Sequence, residues 1–261
     1  MRTVTNVVFA LALVAVVVAG IVLRGRLVRG PEPLARPAPR QAAPQPQPEQ
    51  PPKRPTPAPA PAPALVPIGI ELPRPMFVGT PKPVNEPNVE KPLGKPRPPF
   101  LAPEGTANLA LGKPVTSSDE WPIIGDPELV TDGDKAGEQG CFVELGPGTQ
   151  WVQIDLEQEA VIYAVLVWHY HTQARAYRDV ILQLCSDAAF VTDVTTVFNS
   201  DHDDSSGLGV GEDKAYVETF EGKLIDCKGA RARCVRLYSN GNTSNEANHY
   251  VEVEVYGKPA E

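Results

Sequence analysis

Planar polar and aromatic side chains stand out in the stretches that join the candidate β-strands of this chain. A sugar is held by an aromatic ring against its apolar face and by planar donors and acceptors that contact pairs of hydroxyls. Trp121 and Tyr170 are suited to the first task. The polar contacts that this chemistry predicts are His169, His171, Arg175 and Asn242.

His169 and His171 also allow a different chemistry. Residues i and i+2 of a strand share a face, so the two imidazoles could bind zinc together with an Asp or with His249. Zinc usually takes four ligands in a tetrahedral arrangement, and two histidines supply only half of them. Zinc binding is therefore the less favoured interpretation of this pair.

Motifs of nucleophilic or nucleotide chemistry do not occur in the sequence. There is no Gly-x-Ser-x-Gly nucleophile turn, no glycine-rich phosphate loop and no Cys-x-x-Cys pair. Glycosidase activity would need two carboxylates facing each other across a cleft, for which a small sandwich offers little room. We expect a noncatalytic protein.

Short β-like segments separated by turn residues must position these side chains from Thr106 onward. Trp151–Leu156 and Val180–Leu184 alternate apolar and polar residues, which is typical of strands with one buried face. Val161–Trp168 is almost continuously apolar and predicts a central strand buried on both faces. The pattern as a whole predicts an all-β sandwich over residues 104–261.

Five segments occur in the order of a known family. They are Asn108–Ser118, Leu129–Asp134, Trp151–Leu156, Arg231–Tyr238 and Tyr250–Gly257. Together they resemble the discoidin domain, also called the coagulation factor V/VIII C-type domain. The resemblance implies a galactose-binding-like jelly-roll β-sandwich that binds sugars or lipids through loops at one end. Noncatalytic carbohydrate binding is therefore the predicted function, and a structural or protein–protein interaction module of the cell envelope is the alternative.

The resemblance also implies a structural calcium ion. Calcium takes six to eight hard oxygens, and Gly133 permits a tight turn between Asp132 and Asp134. By resemblance, Asp132 and Glu252 would supply side-chain oxygens and Asp134 its backbone carbonyl. Gly137 stands where many relatives carry Ser or Thr, so one hydroxyl of the set is missing. A metal-free Asp-Gly turn is the alternative.

The first 103 residues differ in composition from the rest and contain 25 of the 30 prolines. Val7–Leu23 is an uncharged apolar run flanked by arginines, at the lower limit for a membrane span. It predicts a signal-anchor or a cleaved signal peptide in residues 1–30. Residues 31–103 are predicted to be a disordered Pro-rich linker. We expect the sandwich outside the cytoplasm, membrane-anchored or secreted if the signal is cleaved, with the reversed orientation as a further alternative.

Charge is divided between the same two parts of the chain. Residues 1–103 carry 13 Lys or Arg and 5 Asp or Glu, whereas residues 104–261 carry 11 and 27 respectively. A strongly acidic sandwich argues against nucleic acid and anionic lipid headgroups as ligands, because phosphates need basic surface. The expected partners are carbohydrate or another extracellular or envelope ligand, and the membrane through the N-terminal helix.

The four cysteines are Cys141, Cys185, Cys227 and Cys234. An even number of cysteines in an exported domain permits disulfides, and Cys227–Cys234 is one candidate pair. Buried free thiols are the favoured interpretation, because an unpaired cysteine packs as a small apolar residue.

Overall fold

The computed structural model describes residues 63–77 and 83–260. Within them are eleven β-strands and one 3₁₀ helix, Pro127–Thr131. The strands are β1 Leu65–Pro67, β2 Leu101–Pro103, β3 Ala107–Asn108, β4 Val115–Ser117, β5 Val143–Leu145, β6 Thr149–Trp168, β7 Ile181–Cys185, β8 Thr195–Asn199, β9 Lys223–Asn240, β10 Asn248–Tyr250 and β11 Glu252–Pro259. The predicted signal or anchor in residues 1–30 and residues 31–62 of the predicted linker lie outside the described residues. In the described ranges, no helix combines the length and the apolar character that crossing a membrane requires.

Seven strands form one antiparallel sheet in the order β3-β11-β6-β9-β7-β8, with β4 also paired to β6. β5 pairs with β10 in a separate two-stranded sheet, and β1 pairs with β2 in another. The first strand of the sandwich pairs with the last, because Asn108 of β3 lies opposite Tyr256 of β11. The predicted all-β sandwich is confirmed.

β6 and β9 are long strands that pair along most of their length and bend together. Their ladder is interrupted between Asp155 and Ala160, where Glu157 has a positive φ of 65°. Irregularities of this kind bend a strand pair and increase its twist. The other neighbour of β6 changes at the same place, from β4 before the interruption to β11 after it. One strand therefore connects most of the large sheet.

The main core lies between the seven-stranded sheet and the β5–β10 pair. Leu145 of β5 and Tyr250 of β10 are fully buried in it with Ile154, Leu237 and Val255 of the large sheet. Burying an aliphatic side chain of this size contributes roughly 1.5–3 kcal/mol. This packing fixes β5 and β10 on the sandwich, and both strands carry residues of the cleft described below.

From Ala164 to Trp168, β6 is buried on both faces. Val165 and Val167 belong to the main core. Ala164, Leu166 and Trp168 belong to a second apolar cluster. Since successive side chains of a strand point to opposite faces, the two clusters lie on opposite sides of β6. The prediction of a central strand buried on both faces is confirmed for this stretch.

The second apolar cluster is covered by residues 63–77 and 83–103, here called the arm. Ile68, Ile70 and Phe100 of the arm pack against the cluster. The Ile68 N–H donates to the Phe100 carbonyl at 3.0 Å, next to the three rungs of the β1–β2 ladder. The Tyr256 hydroxyl of β11 donates to the Gly69 carbonyl at 3.2 Å.

The middle of the arm, residues 86–97, is attached to the sandwich by ion pairs and a hydrogen bond. Glu86 contacts Arg178 at 2.7 Å, and Glu90 contacts Lys223 at 2.8 Å. The Arg97 guanidinium donates to the Gly222 carbonyl at 2.8 Å. The arm is thus bound to the sandwich by apolar, backbone and ionic contacts along its described length.

This packing differs from the disordered linker predicted for residues 31–103, in the part of that segment that the structure describes. The high proline content favoured disorder because proline-rich chain rarely buries enough apolar surface to offset the entropy lost on ordering. Here Ile68, Ile70 and Phe100 supply that surface, because the sandwich presents an apolar face to cover. The average composition of residues 31–103 does not reveal these three apolar residues.

All four cysteines are free thiols, and Cys185, Cys227 and Cys234 are buried. Cys227 and Cys234 both lie on β9, seven positions apart. An extended strand rises about 3.3 Å per residue, which separates the two Cα atoms by up to about 23 Å, less the shortening at the positive-φ residues Lys228 and Gly229. A disulfide needs Cα atoms within about 7 Å, so the Cys227–Cys234 bridge considered above is excluded.

We predict that removal of the arm destabilises the sandwich. A protein beginning at residue 104 exposes Leu166 and Trp168, whereas one beginning at residue 63 keeps both side chains covered. Re-exposure of two large apolar side chains costs up to about 3–6 kcal/mol. The shorter protein should therefore melt several degrees lower in a calorimeter and bind an apolar dye more strongly. Equal melting temperatures for the two proteins would show that the arm contributes nothing to stability.

Candidate functional site

A cleft of about 280 Å³ opens beside the two-stranded sheet β5–β10. One wall is the segment that runs along β5, and a second is β5 with the loop that precedes it. The other two are the loop that follows β6, and β10 with the loop that precedes β10. The lining side chains are Ile124, Gln139, Phe142, Glu144, Tyr170, Arg175, Asn245 and His249. Four separate stretches of chain therefore meet at one place on the sandwich.

Arg175 is the most unusual group in the cleft. The residue is only 4% exposed, and its guanidinium lies over the Tyr170 ring, 4.5 Å from the ring centre. Nη2 donates to Gln173 Oε1 at 2.7 Å, whereas Nε and Nη1 are buried without a hydrogen-bond partner. Among the described residues, no carboxylate lies within ion-pair distance of Arg175. Burial of a cation with unpaired donors is costly, so an acceptor oxygen that reached these two solvent-inaccessible nitrogens would be stabilised.

Three rings form the aromatic part of the wall. Phe142 and Tyr170 meet edge to face with their centres 5.3 Å apart. The His249 imidazole is tilted against both, at 5.7 Å from Phe142 and 5.8 Å from Tyr170. Tyr170 is only partly buried, so part of its ring surface remains open to a ligand.

His249 and Glu144 form a polar pair across the β5–β10 ladder, where they lie directly opposite each other. His249 Nε2 is 3.3 Å from Glu144 Oε2, and Nδ1 is 2.9 Å from the Tyr177 hydroxyl. Burial, with the nearby Arg175 and His169, lowers the pKa of His249 to about 3. The imidazole is therefore neutral near pH 7. His249 Nε2 thus lies at ion-pair distance from the Glu144 carboxylate, and Nδ1 shares a hydrogen bond with the Tyr177 hydroxyl.

Two of the six residues predicted to bind a ligand line this cleft, namely Tyr170 and Arg175. Trp121 lies nearby and is 84% exposed. Its segment continues to Ile124 of the cleft wall, which pairs with Glu144. The indole is therefore a free aromatic surface close to the cleft, although it does not line it.

His169, His171 and Asn242 are buried and do not line the cleft. His169 Nδ1 lies 2.7 Å from Glu218 Oε1, and the imidazole stacks on Tyr177 at 4.4 Å. The His171 Nε2–H donates to the Lys135 carbonyl at 2.8 Å. These imidazoles therefore contact different parts of the chain and do not form the shared zinc site considered above.

Asn242 holds its own loop together. Its Nδ2 donates to the Ala247 carbonyl at 2.9 Å, and its Oδ1 accepts from the Ser244 N–H at 2.8 Å. His169, His171 and Asn242 therefore make hydrogen bonds within the protein and lie outside the lining of this cleft. Contact of these three residues with a ligand stays a prediction.

Phe142, Glu144 and Asn245 belong to the cleft but were not predicted from the sequence, whereas His249 was part of the loop-borne polar and aromatic set considered for sugar binding. The missing signal is the pairing of β5 with β10, which places Glu144 opposite His249 although 105 positions separate them in the sequence. Alternation identifies strands, but it does not tell which strands are neighbours.

The structure brings Glu252 to the Asp132-Gly133-Asp134 turn. Glu252 is fully buried, and its Oε2 accepts from the Gly133 N–H at 3.1 Å. Its Oε1 is buried without a hydrogen-bond partner. Burial, with Glu254 and Asp132 nearby, raises the pKa of Glu252 to about 9. A carboxylate oxygen left bare beside an acidic turn fits a site for a hard cation.

The neighbouring loop explains why a glycine stands at position 137. Gly137 has a positive φ of 67°, and a Cβ atom there would lie 3.2 Å from the Nε2 of His171. A Ser or Thr would therefore be strained and would collide with the imidazole. The Lys135–Glu254 ion pair, at 2.6 Å, ties the same loop to β11. The loop is packed against the protein where a hydroxyl ligand was expected from the resemblance.

Asp179, Asp201 and Asp203 form another acidic group, with carboxylate oxygens within 4.8 Å of one another. Asp179 Oδ2 accepts from Ser205 Oγ and from Asn240 Nδ2, both at 2.8 Å. These bonds within and around the loop already occupy the carboxylate. We assign no ligand to this group.

Comparison with known proteins gives structural matches only. No protein-family model and no curated protein matches the chain. The carbohydrate-binding module CBM32 of AlyQ, in complex with 4,5-unsaturated mannuronic acid, is 20% identical over 54% of this chain and 92% of that one, with a TM-score of 0.40. A fucose-binding module of Streptococcus pneumoniae is 19% identical over 59% and 96%, with a TM-score of 0.41.

A third structure is chitosan-binding module 1 from a chitosanase/glucanase of Paenibacillus sp. IK-5. It is 21% identical over 58% of this chain and 99% of that one, with a TM-score of 0.40. The likeness concerns the fold, which the strand order establishes by itself, and it assigns no ligand to this chain.

His249 predicts a loss of stability in acid. Its pKa is about 3 in the folded chain and about 6.5 when unfolded, so the unfolded chain binds more protons between these values. The free energy of unfolding therefore falls as the pH decreases from about 6.5 to about 3. Replacement of His249 by Gln should reduce this slope, measured from urea midpoints between pH 3.5 and 7. His202 is exposed, so replacement of His202 by Gln is the control. If the free energy of unfolding depends on pH equally in H249Q and H202Q, the prediction is contradicted.

Proposed function

We propose that the sandwich binds carbohydrate noncatalytically in the cleft beside β5–β10. The observation that carries the proposal is the buried Arg175 guanidinium, with two unpaired donors next to the Tyr170 ring. Sugar hydroxyls accept hydrogen bonds from such donors while an apolar sugar face packs on the ring. Glu144 supplies the complementary acceptor on the opposite wall. An aromatic ring and planar polar groups thus converge at one place.

Charge favours a neutral sugar. The cleft walls carry one cation, Arg175, and one acidic side chain, Glu144, while His249 is neutral. The surrounding sandwich is strongly acidic in composition, which repels anionic ligands at a distance. A neutral glycan satisfies the unpaired donors without bringing a negative charge close to Glu144.

The composition of the cleft also favours binding without catalysis. Hydrolysis of a glycosidic bond by the usual mechanism needs a pair of carboxyl groups on either side of that bond. Glu144 is the one acidic side chain among the residues that line the cleft. Its carboxylate also lies 3.3 Å from His249 Nε2.

A glycan array probed with residues 63–261 tests the proposal. We expect binding to neutral glycans, and we expect Arg175→Ala to weaken it about 10- to 100-fold, because a hydrogen bond to a charged donor contributes about 1.5–3 kcal/mol. Tyr170→Ala should weaken binding as well by removing the platform. Trp121→Ala should affect long glycans more than monosaccharides, because the indole lies outside the cleft.

Arg178→Ala is the matched control for Arg175. The Arg178 side chain is largely exposed and pairs with Glu86 of the arm, away from the cleft. Melting temperatures show whether each variant remains folded. Binding by folded R175A and Y170A at the wild-type level would refute this site. A blank array together with co-purification of one protein partner would favour the alternative, a structural or protein-interaction module.

We also propose a structural calcium ion at the Asp132–Asp134 turn. The unpaired Glu252 Oε1 supports it, because a buried carboxylate with a free oxygen is stabilised by a cation. Asp132 and Glu252 would supply side-chain oxygens and Asp134 its carbonyl. A bound ion would attach the turn to β11.

Calcium should then raise the melting temperature of the protein and a chelator should lower it. We expect Glu252→Gln and Asp132→Ala to abolish this difference, measured by calorimetry with calcium chloride or EDTA. Asp203→Ala serves as the control, because Asp203 belongs to the other acidic group. Identical melting curves of the wild-type protein in calcium and EDTA would refute the ion.

For the location of the protein we propose display outside the cytoplasm, on a membrane anchor in residues 1–30 or as a secreted form. The apolar run Val7–Leu23 and the Pro-rich segment after it support this placement. Digestion by protease added to intact cells and to spheroplasts tests it, and full protection of the sandwich in both would contradict it.

A further inference from the structure

Two of the four cysteines lie directly opposite each other in the large sheet. Cys185 is the last residue of β7, and the register of the β7–β9 ladder pairs it with Cys234. The two residues are 1% and 0% exposed, and with Phe190 they form a small buried cluster of their own. Cys227 belongs to the main core instead.

We propose that Cys185 and Cys234 are the site of a cross-strand disulfide in the oxidised protein. Residues directly opposite in an antiparallel pair have Cα atoms about 4.5–5.5 Å apart. A disulfide accepts Cα separations of about 4.4–6.8 Å. The bond therefore requires rotation of the two side chains but no movement of the strands. Cys141 and Cys227 have no cysteine opposite them in the described ladders.

Formation of the bond needs a disulfide-containing oxidant, such as oxidised glutathione or a disulfide-donating protein. The thiolate of one cysteine attacks the oxidant, forms a mixed disulfide and releases one thiol. The second thiolate then attacks the protein sulfur of the mixed disulfide and releases the second thiol. Two protons leave the cysteines, and the oxidant gains two electrons.

The folded environment determines when this exchange occurs. Burial and the adjacent Asp155 carboxylate raise the pKa of Cys234 to about 11, and the Cys185 thiol donates to the Thr192 carbonyl at 3.0 Å. Exchange requires an accessible thiolate, so both thiols are slow to react once β7 has paired with β9. The bond forms before that pairing is complete, during folding in an oxidising compartment.

Closure of the bond joins β7 to β9 across a long intervening segment. Residues 186–233 contain β8 and the acidic turn at Asp201. A crosslink over such a loop reduces the freedom of the unfolded chain and stabilises the folded one. It would hold the β7–β8 edge of the sheet, where β8 has no further neighbour among the described strands.

Mass spectrometry of the refolded protein tests the proposal. Residues 63–261 are denatured, reduced and refolded in a glutathione redox buffer, and free thiols are then alkylated before digestion. We expect a linked Cys185–Cys234 peptide and alkylated Cys141 and Cys227. Before alkylation, the intact mass of the oxidised protein should be about 2 Da below that of the reduced protein. The oxidised protein should melt several degrees above the reduced one.

Cysteine variants show whether the Cys185–Cys234 bond causes the difference in melting temperature between the oxidised and the reduced protein. Cys185→Ala and Cys234→Ala should each abolish the redox-dependent change in melting temperature, whereas Cys141→Ala should keep it. Recovery of both Cys185 and Cys234 in alkylated form after oxidative refolding would overturn the proposal. A linked peptide that joins either one to Cys141 or Cys227 would overturn it as well. Neither result bears on glycan binding, which is measured separately.

Discussion

The burial of β6 on both faces is the constraint on which the rest of this structure depends. Its odd-numbered residues Val165 and Val167 pack into the main core, and its even-numbered residues pack under the arm. Trp168 ends the strand, and its indole N–H donates to the Phe220 carbonyl at 2.9 Å. The loop with Tyr170 and Arg175 begins directly after Trp168, so the position of β6 determines the position of this wall of the cleft.

A layer of buried polar groups lies under the cleft and determines how rigid it is. His169 joins Glu218 to the Tyr177 ring, and the Tyr177 hydroxyl in turn shares a hydrogen bond with His249 Nδ1. Polar networks in a low-dielectric interior are strong when their members are paired and costly when they are not. The unpaired nitrogens of Arg175 belong to a wider group of unpaired polar atoms in this layer, which includes His169 Nε2 and Glu218 Oε2.

The fold was predictable from the sequence because alternation and turn residues report directly on strands with one buried face. The contact of Glu252 with the Asp132 turn was predictable from the family resemblance. The cleft was not, since its walls depend on the pairing of β5 with β10 and on which loop residues turn inward. His169 and His171 have the residue type of a binding site, but burial gives them a structural role that their type does not reveal.

The arm changes how tension on the chain reaches the sandwich. A force applied before Pro63 is first resisted by the three rungs between β1 and β2 and by the side chains of Ile68 and Ile70. The load then reaches the Glu86–Arg178 and Glu90–Lys223 ion pairs, and only after these also break does it pass to Ala107, at the β3–β11 edge. Residues 63–103 therefore stand between the preceding chain and β3, the edge strand of the seven-stranded sheet.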